Sequence, residues 1–237
     1  MKHILAIGVI MAVLCSTAFA APVNLLKVRT QMVSPAVKIT SSGSCSGQIV
    51  HSAREDISGN VKTLILTAKH CVLDTDTNDI ISISIPVYFN GNELVGEYVH
   101  LGKVIAKDKS SDLALIRLLD PKTIYHSTAI IEQEFAQLLI GEECYAIGFP
   151  MGGSLTITSG MIGSIEPHII DGKLDVYLRS TAEIAAGSSG GALYRYINGE
   201  YRLIGITMAR MRGTSFIGLW IPLSDIVPFL ARHMPIT

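Results

Sequence analysis

The sequence is short of charge. Only 16% of its 237 residues are Asp, Glu, Lys or Arg, against 49% hydrophobic, and the formal net charge is -1. With 19 Lys+Arg facing 20 Asp+Glu, and no block of five or six like charges, there is no polycationic field to hold a nucleic acid. That excludes nucleic-acid binding as the main function. The apolar fraction excludes a disordered chain and suits a sizeable core. Neither C-x-x-C nor H-x-x-x-H occurs, so the usual metal-ligand spacings are missing and no metal or organic cofactor is expected. Internal repeats and low-complexity tracts are missing too. After the first twenty residues, no apolar run approaches the ~20 residues of a membrane-spanning helix.

Those first twenty residues are read apart from the fold. Met1-Lys2-His3 is a short basic start, Ile4 to Cys15 is apolar, and Ala18 and Ala20 supply the small residues of an A-x-A cleavage site. Residues 1–20 therefore read as a signal peptide, with a mature chain of 21–237 starting at Ala21. An uncleaved segment would instead make a membrane anchor, the only membrane contact the sequence suggests. Leu14 is too large for a lipoprotein site at Cys15. Export, periplasmic or secreted, is the expectation, and it places Cys45, Cys71 and Cys144 in an oxidising compartment.

Short runs rich in Ile, Val and Thr recur between Gly and Ser clusters: Thr63–Thr67, Leu113–Leu118, Leu155–Ile162, Val176–Leu178 and Leu203–Met208. This spacing predicts an all-β barrel or sandwich. Val87–Phe89, Asn90-Gly91 and Glu93–Val99 predict a hairpin, because Asn-Gly suits a type I′ turn. Residues from Asp120 to Gln137 lack alternation and read as a connection between halves. A helix over about 224–233 is predicted at the end, capped by Ser224, with Ile226, Val227, Leu230 and Ala231 as its apolar set and Pro228 in its first turn.

Three stretches carry chemistry. Leu66-Thr67-Ala68-Lys69-His70-Cys71 ends an apolar strand, Ser110-Ser111-Asp112-Leu113-Ala114-Leu115 starts one, and Ala186-Gly187-Ser188-Ser189-Gly190-Gly191 is a Gly-rich turn around a Ser. Acyl transfer needs a hydroxyl nucleophile, a base for its proton and a carboxylate to orient the base. It also needs backbone N–H groups aimed at the developing oxyanion. The order His, Asp, Ser is that of the chymotrypsin class. His51, His100, His126 and His168 lack the flanks of His70. Asp108 is a rival to Asp112, but only Asp112 is followed by Leu-Ala-Leu.

The three stretches resemble the catalytic blocks of the trypsin/chymotrypsin-like serine peptidases, over most of residues 36–230. The resemblance implies two antiparallel β-barrels, about 36–120 and 138–222, with the active site between them. It implies His70 as general base, Asp112 as its orienting carboxylate and Ser189 as nucleophile, with the N–H groups of Gly187 and Ser189 as oxyanion hole. It implies a protein or peptide substrate and a Cys45–Cys71 disulfide, leaving Cys144 as a buried free thiol. Trypsins carry Asp just before the nucleophile to bind a newly cut N-terminus. Ser188 stands there, so activation of that kind is not expected. Ala146-Ile147-Gly148-Phe149-Pro150, Thr156 to Ile162, and Trp220-Ile221-Pro222 look like the bacterial Deg/HtrA-type peptidases, here without residues for a PDZ domain. Six positions before Ser189 lies Glu183, where trypsins place the floor of the specificity pocket. Gly218 would leave that pocket open, and Arg210 could neutralise Glu183. A buried Glu183 predicts cleavage after Lys or Arg, whereas an exposed Glu183, or one paired with Arg210 for structure, predicts no such preference. The competing reading is a catalytically silent binding module on the same fold.

Overall fold

The computed structural model describes residues 24–55, 57, 59–72, 80–89, 93–108, 110–120, 122–133, 138–170, 172–210 and 217–234. At 170, 173 and 210 it describes the backbone alone. The signal segment, the acidic stretch Asp74–Asp79 and the Asn90-Gly91 turn lie outside the described residues.

Among those residues the strands close into two six-stranded barrels. The first consists of β1 (Ala36–Thr40), β2 (Ser44–Arg54), β3 (Val61–Ala68), β4 (Ile80–Phe89), β5 (Glu93–Lys107) and β6 (Leu113–Leu118). Their spatial order is β1-β2-β3-β6-β5-β4. The second consists of β7 (Glu143–Gly148), β8 (Thr156–Ile170), β9 (Lys173–Ser180), β10 (Ala192–Ile197), β11 (Glu200–Arg210) and β12 (Gly218–Pro222). Its order is β10-β11-β12-β9-β8-β7. Every pairing between these strands is antiparallel, and β4 and β5 form the expected hairpin, with Phe89 opposite Glu93.

The apolar runs are continuous rather than alternating because the central strands bury both faces. In β3, Ile65 packs inside the first barrel with Ile39, Ile49 and Ile83. Its neighbours Leu64 and Leu66 point the other way, into a second core shared with Phe149, Tyr194, Leu203 and Ile206 of the other barrel. A third core fills the second barrel around Cys144, Leu178, Ile204 and Trp220. The interface between barrels thus has an apolar core of its own, which fixes their relative placement and with it any site between them.

The connection from Asp120 is irregular, as expected, and is stitched to both barrels. The Ala129 N–H donates to the Ile49 carbonyl, and the Leu203 N–H to that of Ile130. Glu132 on this connection is 2% exposed and meets Arg195 of β10, 1% exposed, at 3.0 Å. Arg195 also reaches Glu142 at 3.2 Å. Removing one member of a buried ion pair leaves a charge without compensation. Glu132→Ala therefore lowers unfolding free energy by about 3 kcal/mol, the low end of the range because Glu142 remains. Denaturant titration of the disulfide-intact protein checks this.

Two features differ from the sequence reading. The N-terminal segment is helical, a turn α1 (Leu25–Val28) capped by Asn24 and running into a π turn. It is fixed by burial of Met32 and by the Lys27 ammonium donating to the Gly199 carbonyl. The C-terminal helix α2 (Leu223–His233) starts one residue early. Its N-cap is Pro222, so Ser224 is not the cap, and Pro228 falls in the second turn. Burial of Leu223, Ile226, Phe229 and Leu230 decides the start, outweighing the capping preference of Ser224.

Candidate active site

β3 and β6 are antiparallel neighbours, with Ala68 opposite Leu113. The residue just past the end of β3 therefore meets the residue just before β6. A 3-10 turn over Lys69–Val72 carries His70 there. The Lys69 N–H donates to the Asp112 carbonyl at 2.8 Å. The His70 N–H donates to Asp112 Oδ1 at 2.9 Å, and His70 Nδ1 lies 2.5 Å from Asp112 Oδ2. Both carboxylate oxygens are thus engaged by one residue, which fixes the plane of the imidazole. The carboxylate is largely buried, whereas a third of the histidine side chain is open.

Asp108 does different work. Its Oδ1 accepts from Ser110 N–H at 2.7 Å, Ser110 Oγ at 2.5 Å and Ser111 N–H at 3.1 Å, and its Oδ2 meets Arg232 of α2. Partial burial pushes the pKa of Asp108 up. The Ser110 and Ser111 bonds with the Arg232 charge outweigh that and hold it at about 2, below the usual 3.8. A depressed carboxylate contributes stability above its unfolded pKa and loses it as pH falls through the folded one. The protein therefore loses stability between about pH 4 and pH 2, and Asp108→Asn removes that component of the slope. Melting temperatures across that window read it out.

Ser189 sits in a tight turn between β9 and β10. Gly187 and Gly190 have φ of +92° and +79°, and a Cβ on Gly190 would come 2.2 Å from the Ser46 carbonyl oxygen, so only glycine fits. Across the barrel interface, the Ser46 N–H donates to the Ser189 carbonyl at 2.7 Å. That carbonyl also lies 3.5 Å from Cys71 Sγ, next in sequence to His70. Within the second barrel the Gly190 N–H donates to the Thr207 carbonyl. Ser189 is thereby brought beside the His70 turn. Among the described residues, neither the Gly187 N–H nor the Ser189 N–H donates a hydrogen bond. Two unspent donors at one turn are what an oxyanion requires.

Cys45 and Cys71 form a disulfide, with Cα atoms 5.9 Å apart. Among the described residues, the one cluster of possible metal ligands is Cys45, Cys71 and His70, and its two sulfurs are bonded to each other. Cys144 is a free, buried cysteine, and burial pushes its thiol up to about 11, so it stays protonated and inert.

The specificity reading needs correction. Glu183 is exposed, so it lacks the desolvation that would make it seek a cation, and cleavage after Lys or Arg does not follow from it. It lines a cavity of about 330 Å³ with Ile147, Thr158, Ile184 and Ser188 rather than with Gly218. Gly218 is buried at the start of β12, opposite the backbone of Arg210 and against Trp220. The Arg210 side chain lies outside the described residues. Sequence reasoning missed Ser46 and Thr207, which hold the turn across and within the barrels. Thr207 acts through its backbone carbonyl, which leaves no sequence signature, and Ser46 through its backbone N–H and its hydroxyl, whose partners are backbone groups far away in sequence.

Known proteins resemble this arrangement. The chain is 36% identical over 136 residues to the periplasmic serine endoprotease DegP of Escherichia coli, spanning 56% of this chain and 27% of that protein. It thus covers about a quarter of that relative's length. Among solved structures, the HtrA-type protease AlgW with tripeptide matches at TM-score 0.65 and 20% identity, covering 90% of this chain and 64% of that one. An inactive form of Rv3671c from M. tuberculosis matches at TM-score 0.63 and 19% identity, covering 92% and 98%. At these identities the structures speak for the fold alone. A family model, the trypsin-like peptidase domain, matches residues 45–206, a span that runs from β2 into β11 and includes His70, Asp112 and the Ser189 turn. The chain belongs to the family of trypsin-like peptidase domains.

Proposed function

We propose that this protein is an exported serine endopeptidase. Ser189 Oγ attacks the scissile carbonyl while His70 Nε2 takes its proton, and Asp112 holds the imidazole with its other proton on Nδ1. The N–H groups of Gly187 and Ser189 receive the oxyanion. His70 then protonates the leaving amine, and the acyl-enzyme is released by water that His70 activates. The observation that carries this reading is the two-point hold of Asp112 on His70, through the ring and the backbone of one residue. A histidine in a merely structural role has no need of its plane being fixed at both. Ser189 Oγ makes no hydrogen bond among the described residues, and nucleophile–base bonds commonly tighten only when substrate arrives.

A peptide or protein substrate follows from the family. Export is supported by the periplasmic naming of the DegP relative, by the signal-like start over 1–20, and by a disulfide suited to an oxidising compartment. Among the described residues no helix is long and apolar enough to cross a membrane. Digestion of an unstructured protein such as casein, with mass spectrometry of the products, tests the activity and reads the residue preference. Absence of cleavage by folded protein favours the silent binding module. N-terminal sequencing of the exported chain tests the leader, with Ala21 expected first.

A further inference from the structure

Among the described residues, no charged side chain anchors the turn bearing Ser189 from within its own barrel. Ser188 is buried and neutral, and its hydroxyl accepts from the Ala185 N–H at 3.3 Å. It borders the 330 Å³ cavity rather than an ion pair. Gly187 and Gly190, both at positive φ, bring no side chain to hold the turn, and an oxyanion hole works only if its donors are fixed before reaction.

We propose that Ser46, on β2 of the opposite barrel, is the positioning residue that sets this turn; the proposal rests on the serine-peptidase reading above. Ser46 is fully buried. Its hydroxyl donates to the Gly187 carbonyl at 2.8 Å and accepts the Phe149 N–H at 2.8 Å. Its own N–H donates to the Ser189 carbonyl. A trans peptide points its N–H opposite to its carbonyl, so holding carbonyls decides where the donors face. The carbonyl of Ala186 accepts from Met151 N–H and that of Ser188 from Gly191 N–H. Those two planes carry the N–H groups of Gly187 and Ser189. Ser46 holds the Gly187 and Ser189 carbonyls, in the alternating planes that carry the N–H groups of Ser188 and Gly190. Four successive peptide planes are thus pinned, and the donor planes are fixed between held neighbours. Among the described residues, the N–H groups of Gly187 and Ser189 have no acceptor. The Ser46 hydroxyl is the only side chain among these partners, and it also ties the turn to the Phe149–Gly152 segment that supplies Met151.

Ser46→Ala deletes the hydroxyl, keeps the backbone bond to Ser189, and leaves the Gly187 carbonyl and Phe149 N–H unpaired. Active sites are counted by fluorophosphonate titration, and kcat is expressed per titrated site. We expect kcat to fall about 10- to 100-fold with KM within about threefold of wild type, because the loss falls on the transition state. A purely structural serine would lower the melting temperature and leave kcat per site unchanged, and that result overturns the proposal. If Ser46→Ala does not fold, Ser46→Cys, of similar size but a weaker hydrogen-bonding group, must lower kcat in the same pattern or the proposal fails. A wild-type protein that takes no fluorophosphonate defeats the peptidase reading itself and this inference with it. A labelled wild type with an undiminished Ser46→Ala defeats the inference alone.

Discussion

Replacing Ser189 by alanine is expected to lower kcat by about 10⁶-fold with little change in KM. The other hydroxyl of the turn, Ser188, is buried and accepts from the Ala185 N–H, which leaves Ser189 Oγ as the hydroxyl open to form the acyl bond. Methyl in its place leaves the His70–Asp112 pair and the N–H donors of Gly187 and Ser189 standing. What survives is catalysis by binding and oxyanion stabilisation alone, roughly 10³–10⁴ over water. Since Ser189 is only partly buried, losing one oxygen there opens no core cavity, and the fold is expected to be unaffected. Initial rates of peptide hydrolysis, with the variant purified away from host proteases, measure the drop. A fall of less than about 100-fold would mean that another group is the nucleophile.

The next largest effect is that of Asp112→Asn, about 10⁴-fold in kcat at neutral pH. The reason lies in the two bonds this side chain makes to His70. The backbone N–H of His70 needs an acceptor, and it sits 2.9 Å from Oδ1. An asparagine must therefore turn its oxygen to that N–H, which puts its NH₂ group 2.5 Å from Nδ1, where Oδ2 stood. Nδ1 then has to accept, the ring proton moves to Nε2, and the nitrogen facing Ser189 can no longer take a proton. The amide flip that would rescue the ring leaves two N–H donors facing each other at His70. Nitrogen NMR of the imidazole reads the tautomer directly, and a wild-type tautomer with full activity would refute the assignment of Asp112.

Much of this arrangement was legible because its parts are local. Thr67-Ala68-Lys69-His70-Cys71 and Asp112-Leu113-Ala114-Leu115 each carry a proposed catalytic side chain at a strand end, and the pairing of Ala68 with Leu113 joins them. Cys45 reaches Cys71 for the same reason, since β2 pairs with β3 as far as Gln48 opposite Leu66 and the two strands run on from there toward Cys45 and the turn that holds Cys71. The rest is set by tertiary geometry. Glu183 is exposed because of how the segment between β9 and β10 runs, which counting residues back from Ser189 does not reveal. The pinning of the Ser189 turn by Ser46, Met151 and Thr207 uses mostly backbone N–H and C=O groups, which every residue has. The α2 start yields to burial of Leu223, and the α1 turn to burial of Met32.

The intact mass of the folded wild-type protein after treatment with a fluorophosphonate, beside the Ser189→Ala variant, bears most directly on the proposed chemistry. Such a reagent reacts only with a serine that is deprotonated on attack and whose oxyanion is received, so it reports the assembled site and not the fold. One adduct on the wild type, mapping to the peptide that contains Ser189 and missing from the variant, is the result expected. No adduct on well-folded wild type, or an equal adduct on both proteins, would contradict it.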